Sequence, residues 1–222
     1  MELGALHGDF WLTNRLLSGT TITDLPTLHT ALDRLHTEHS LRHIAFSSIP
    51  LRQQTVQRLG LPSPPQSYTC LLPANLPEAY NAIEWNNPDQ EVLVCFASSW
   101  SDNSMETWAF ALPTILVPFT GTGDFLSALV AAWYDPSASA NGMSPLASAV
   151  SKALLTVQQI LLRTHIHALA QVNDTNDASI NDVKSKAQVL RTRELRIIPE
   201  RSLITDGGEG WPGSRVDWSD WA

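Results

Sequence analysis

The stretch PFTGTGDFLSALVAAW, Pro118 to Trp133, carries more of the reading than any other part of this 222-residue chain. An apolar, extended run, TILVPF, leads into it, and a helical apolar pattern from Asp124 to Trp133 follows. Between them lie Gly121, Thr122, Gly123 and Asp124. Glycines there permit positive φ and close approach of the backbone to a ligand. The free N–H groups of such a turn, together with the helix dipole, converge on one spot suited to a phosphate or to the charge of a transferring phosphoryl group. A carboxylate beside that spot repels a bound anion. It makes chemical sense as a general base that takes the proton of an attacking hydroxyl. The plainer reading is a strand-to-helix turn in which Asp124 only stabilises the helix start. The stretch is not a dinucleotide fingerprint, because Leu126 stands where the third glycine belongs. It is not a Walker A loop either, having neither that spacing nor the lysine.

The totals bound the possibilities. Net charge is −8, the isoelectric point is near 5.2, and the 14 Lys and Arg are scattered, so nucleic acid and anionic membranes are not expected partners. The apolar share, 43%, is enough to bury a core. The only two cysteines, Cys70 and Cys95, sit in apolar runs and read as reduced core residues. The N-terminal residues do not have the form of a signal peptide, and no run approaches 18 uninterrupted apolar residues. A soluble, cytoplasmic protein is the expectation.

Along the chain, Leu28, Leu32 and Leu35 mark one face of a helix capped by Asp24, with Pro26 in its first turn. HIAFSSI reads as a buried strand bounded by Pro50, YTCLLPA and EVLVCFAS as two more, and METWAFALP as a hairpin partner. A long helix is expected over 144–171, a last strand at RELRIIP, and a disordered tail over 205–222. Strands mixed with long helices predict an α/β layered fold with a mostly parallel sheet. The pairs His36/His39 and His165/His167 read as solvated helix faces rather than metal ligands. Trp108 and Trp133 read as core residues, and Arg193 and Arg196 as solvent-facing.

Five segments in order, RLLSGTTITD, HIAFSSIPL, PFTGTGDFLSALVAAW, KALLTVQQILLRT and RELRIIP, resemble the C-terminal part of pyridoxal kinases, especially fungal-type ones, in the ribokinase-like superfamily. The resemblance covers roughly 15–204. It implies a ribokinase-like three-layer α/β/α sandwich, N-terminally truncated, with a divergent segment at 1–14, the kinase-like domain at 15–204 and the tail at 205–222. It also implies the activity: ATP-dependent phosphorylation of the 5′-hydroxymethyl group of pyridoxal, pyridoxine or pyridoxamine, assisted by Mg²⁺. By the resemblance Asp124 is the base and Gly121, Thr122 and Gly123 form the anion hole. Ser47 and Ser48, at the end of their strand, contact the ATP phosphates, and Ile115, Leu116 and Val117 run beside the nucleotide. The family's Asn-Gln-x-Glu signature, which helps organise Mg²⁺, falls on Phe10, Trp11, Leu12 and Thr13, so both the amide and the carboxylate are replaced and no metal ligand is assigned. The replacement, and the absence of the family's N-terminal half, raise an alternative: a catalytically impaired nucleotide-binding remnant, or a partner subunit of a full-length kinase. A homodimer is the family's usual assembly. A sister enzyme acting on a hydroxymethylpyrimidine or a sugar is a third reading, against which RELRIIP argues.

Overall fold

The computed structural model describes residues 3–6, 19–77, 79–84, 86–138, 142–174, 194–205 and 209–221. Strand β1, Leu3–Leu6, is followed by helix α1, Leu25–Thr37. Asp24 starts α1 through a reciprocal capping box: Thr27 N–H donates to Asp24 Oδ1 at 2.9 Å, and Asp24 N–H to Thr27 Oγ1 at 3.0 Å. Leu25, Leu28, Leu32 and Leu35 are all buried, on the face the periodicity predicts.

Strand β2, His43–Arg52, runs past the expected boundary at Pro50. Its pattern changes parity, with Ile44 and Phe46 apolar before Ser47–Ser48 and Ile49 and Leu51 after them. In a regular strand those two pairs would face opposite sides of the sheet. A β-bulge resolves the conflict. Phe46 pairs with Phe96 and Ile49 with Val94 on the neighbouring strand, so Ser47 and Ser48 together oppose the single residue Cys95. All four apolar residues then join one cluster. Ser48 sits at φ 61°, the left-handed region. Ser48→Gly is therefore expected to be neutral or mildly stabilising, and Ser48→Val to cost about 1–2 kcal/mol, read as shifts of the urea unfolding midpoint. Pro50 is tolerated because β1 pairs with β2 only as far as Phe46, leaving the later part of β2 with a described partner on one side alone.

After β2 come the short helices α2, Gln53–Arg58, and α3, Gln66–Thr69. Part of the expected strand YTCLLPA is thus the end of a helix and a turn. Its Tyr68 is fully buried, while Cys70, expected in the core, is exposed. The next strands are β3, Tyr80–Asn81; β4, Glu91–Ser101; β5, Ser104–Leu112; and β6, Thr114–Ile115. They are followed by α4, Thr122–Trp133; α5, Pro145–Asp174; α6, Arg201–Thr205; β7, Ser214–Arg215; and a 3₁₀ turn, Trp218–Trp221.

The main sheet has the order β1-β2-β4-β5-β7, and β3 pairs with β6 separately. Only β1–β2 is parallel; the other three pairings are antiparallel. This corrects the mostly parallel sheet expected from the sequence. The reason is visible at Asp102 and Asn103, at φ 49° and 58°, which close a two-residue hairpin whose geometry matches strand twist. A direct hairpin replaces the helical crossover that parallel neighbours need.

Each face of the sheet carries its own apolar cluster. One gathers α1, Val56 of α2, and Ile44, Phe46, Val94, Phe96 and Ala109. The other gathers α4, α5 and Tyr68 over Cys95, Ala97, Trp108, Phe110 and Leu112. The Pro145–Gln171 part of α5 is long and apolar enough to cross a membrane by length and composition, yet 83% of an apolar 18-residue stretch within it is buried inside the protein.

The segment expected as a disordered tail is packed over 209–221. Trp211 is fully buried; its Nε1–H donates to Ala111 O at 2.8 Å, and its backbone N–H to Ser151 O at 2.8 Å. Ser214 and Arg215 pair with Ala109 and Trp108, covering the edge of β5. A Cβ at Gly210 would collide with the Ser151 side chain, and one at Gly213 with the Phe110 ring, so these glycines let the strap lie close. The expected strand at RELRIIP is instead a series of turns over 194–200, within the described residues. Glu200 pairs there with Arg163 of α5 and, at 3.9 Å, with Arg196.

Candidate functional site

The turn before α4 is built on Gly121, whose φ of 78° demands glycine. A Cβ there would meet nothing within 4 Å, so conformation, not crowding, selects the residue, and the space above it is open. Helix α4 starts at Thr122, two residues before the expected start, which makes Asp124 its third residue. Phe125 N–H donates to Gly121 O at 3.0 Å, closing the first turn. Gly121 has no side chain to cap the amides of Thr122, Gly123 and Asp124, which leaves them to an external acceptor at the positive end of the helix dipole. Leu126, Leu129 and Val130 anchor the helix in the core. Asp124 is exposed, and among the described residues no hydrogen bond or ion pair engages its carboxylate. The turn therefore presents open donors beside an unengaged base.

Ser47 and Ser48 do not end their strand, as expected, but form the bulge inside β2. Strand pairing relates them to the turn. Pro50 pairs with Leu93 and Leu93 with Leu112, so β2 and β5 finish at the same end of the sheet. The bulge lies opposite Cys95, two rows before that end, and two strand spacings, about 10 Å, separate β2 from β5. From Leu112 the chain passes through β6 to Gly121. Ser47 is half-buried and Ser48 exposed, and their hydroxyls have no partner among the described residues. Bulges of this kind re-aim side chains beside active sites.

Ile115 pairs with Tyr80, and Leu116 N–H donates to Ala79 O at 2.8 Å. That contact fixes the backbone while the Leu116 side chain stays 68% exposed, and Val117 is half-buried. Phe10, Trp11, Leu12 and Thr13 lie outside the described residues, as do Arg193 and residues 15–18 of RLLSG. Among the described residues no three His, Cys, Asp or Glu side chains converge as a metal site would require.

The histidines correct another expectation. His36 and His165 are buried, not solvated. Burial holds the His36 imidazole below its ordinary pKa, and burial, with Arg42 beside it, does the same for His43, whose Nε2 lies 2.9 Å from Tyr134 Oη. Both rings bind a proton less readily folded than unfolded. Their contribution to stability is complete above about pH 6.5, where the unfolded rings are neutral, and is lost as pH falls below it. The urea midpoint is expected to drop between pH 7.5 and 5.5, and to drop less in His36→Gln. Burial also pushes the Cys95 thiol up to about 12, which suits a core residue and not a nucleophile.

No protein-family model matches the chain, and no curated protein matches it in sequence. Solved structures do match. Pyridoxal kinase from Leishmania donovani in complex with ADP and ginkgotoxin superposes with a TM-score of 0.54 at 16% identity, over 93% of this chain and 49% of that one. The fold is pyridoxal-kinase-like. The same kinase in complex with ADP and pyridoxamine gives 0.52, at 16% identity over 93% and 50%. Pyridoxal kinase from Trypanosoma brucei gives 0.51, with the same identity and coverage. At this identity the likeness is one of fold, and the chain spans about half the length of these kinases.

Proposed function

We propose that the chain is a pyridoxal kinase-like phosphotransferase using ATP and a B6 vitamer. One observation carries the reading: the glycine-built turn at Gly121–Asp124 presents free helix amides and an unengaged carboxylate, on a fold shared with a solved kinase seen in complex with ADP and pyridoxamine or pyridoxine. In this reading Gly121, Thr122 and Gly123 hold the γ-phosphoryl oxygens through backbone N–H groups. Asp124 takes the proton of the vitamer's hydroxymethyl group. The oxygen then bonds to the γ-phosphorus as the bond to the β-phosphate oxygen breaks, and ADP leaves with the electron pair. Ser47 and Ser48 reach the other phosphates from the bulge, and exposed Leu116 offers an apolar contact beside the nucleotide. Mg²⁺ entering with the triphosphate would supply neutralisation of phosphate charge, and Asp124 is the carboxylate of the turn that would meet it. A ribokinase-like sandwich is the proposed layering, and a homodimer the proposed assembly.

The test is ATP-dependent phosphorylation of pyridoxal by the purified 222-residue chain, with ATP and pyridoxal binding measured separately by calorimetry. Turnover supports the kinase. ATP heat without vitamer heat or turnover favours the nucleotide-binding partner subunit, a reading motivated by the half-length match to solved kinases. Folded protein with neither heat nor turnover overturns both.

A further inference from the structure

Away from the Gly121–Asp124 turn, one buried polar chain ties α1 to the C-terminal strap. His36 is 4% exposed. Its Nδ1 lies 2.5 Å from Leu41 O, and its Nε2 lies 2.8 Å from Ser98 Oγ. Ser98 Oγ is 3.1 Å from Thr107 Oγ1, its cross-strand partner. Trp218 Nε1–H donates to Thr107 Oγ1 at 3.2 Å. The backbone of the strap joins at the same residue, because Val216 N–H donates to Thr107 O at 2.8 Å.

The two ends of this chain fix every proton in it. A carbonyl oxygen only accepts, so His36 Nδ1 carries hydrogen; an indole N–H only donates, so Thr107 Oγ1 accepts from Trp218. Thr107 must then donate to Ser98, and Ser98 to an unprotonated His36 Nε2. A proton added at Nε2 leaves one hydrogen too many. Ser98 would accept from His36, and whichever of Ser98 and Thr107 then donates to the other, one of the two hydroxyl hydrogens loses its acceptor. Ser98 and Thr107 are 0% and 1% exposed, so that hydrogen has no water to reach. Both residues are locked in the β4–β5 ladder. Trp218, on a four-residue turn and only partly buried, is the end that can yield.

We propose that His36 is a proton-sensitive latch for the C-terminal strap, and that its protonation releases the Trp218–Trp221 turn from β5 and α1. Asp33 on the same helix favours the proton, whereas burial and His43 from β2 oppose it. Trp100 of β4 stacks on the ring at 5.6 Å. His29 of α1 also faces the strap, with its ring 4.8 Å from that of Trp218. Arg58 of α2 lies 4.0 Å above the Trp221 ring, a second hold on the strap that does not pass through His36.

Hydrogen exchange on the full chain tests the latch, with protection corrected for intrinsic rates, for amides of 214–221 and for Val94 and Phe96 as a core reference. Strap protection is expected to fall as pH drops from 7.5 to 5.5, by up to about tenfold per unit for one coupled proton, while the core reference changes less. In His36→Gln and in Thr107→Val, which severs the chain at a hydroxyl while keeping side-chain shape, the extra pH dependence should vanish. If His36→Gln does not fold, Thr107→Val decides alone. No pH dependence in the parent chain overturns the latch, as does a dependence that survives in Thr107→Val or that only His29→Gln removes.

Discussion

Replacing Asp124 by asparagine is expected to lower phosphorylation of pyridoxal by roughly 10²- to 10⁴-fold, the range that a positioned general base contributes. ATP binding should be retained, because the amides of Thr122, Gly123 and residue 124 come from the backbone. The competing role, a carboxylate stabilising the start of α4, is worth only about 0.3–1 kcal/mol at an exposed site. The two roles separate in one pair of measurements on the variant. A small shift in urea midpoint with a large loss of turnover assigns Asp124 to the chemistry. A small shift with turnover unchanged assigns it to the helix and removes the proposed mechanism. The geometry favours the first outcome, since the side chain is exposed beside open space above Gly121 and has no described partner.

Trp211→Ala is expected to destabilise the fold by about 3–5 kcal/mol. The indole is fully buried, packs edge-on against Tyr68 with ring centroids 5.1 Å apart, and donates to Ala111 O. Its loss leaves a cavity and an unpaired carbonyl on β5. It also loosens β7, so the edge of β5 loses its cover. Urea unfolding followed by far-ultraviolet circular dichroism, which does not depend on tryptophan emission, gives the magnitude. A change below about 1 kcal/mol, the level of an ordinary surface substitution, would mean that the strap contributes little to the fold.

Helix α1 was fully legible. Asp24, Pro26 and the leucine spacing are local signals, and capping and amphipathic burial act within a few residues of sequence. METWAFALP as a hairpin partner was legible for the same reason, and the structure selects EVLVCFAS rather than YTCLLPA as the strand it pairs with. The sheet's direction differs from the expectation because strands mixed with long helices predict crossovers, whereas the Asp102–Asn103 turn sends the chain directly back beside β4. The bulge had a signal too: apolar parity switches from Ile44 and Phe46 to Ile49 and Leu51. YTCLLPA shows the opposite problem. A short apolar run fits a strand or a helix equally, and only burial of Tyr68 against Trp211, distant in sequence, selects the helix.

By itself, then, the sequence determined the elements governed by local rules: a capped α1, a long α5, a hairpin, and a glycine turn that offers donors next to Asp124. Tertiary structure alone decided the antiparallel order of the sheet, the burial of His36 and His165, and the packing of residues 209–221. Those features depend on which distant surfaces meet. A polar segment with three tryptophans has no period of its own, and it becomes ordered only where Ser151, Ala111 and Thr107 supply the partners for its backbone and indole groups.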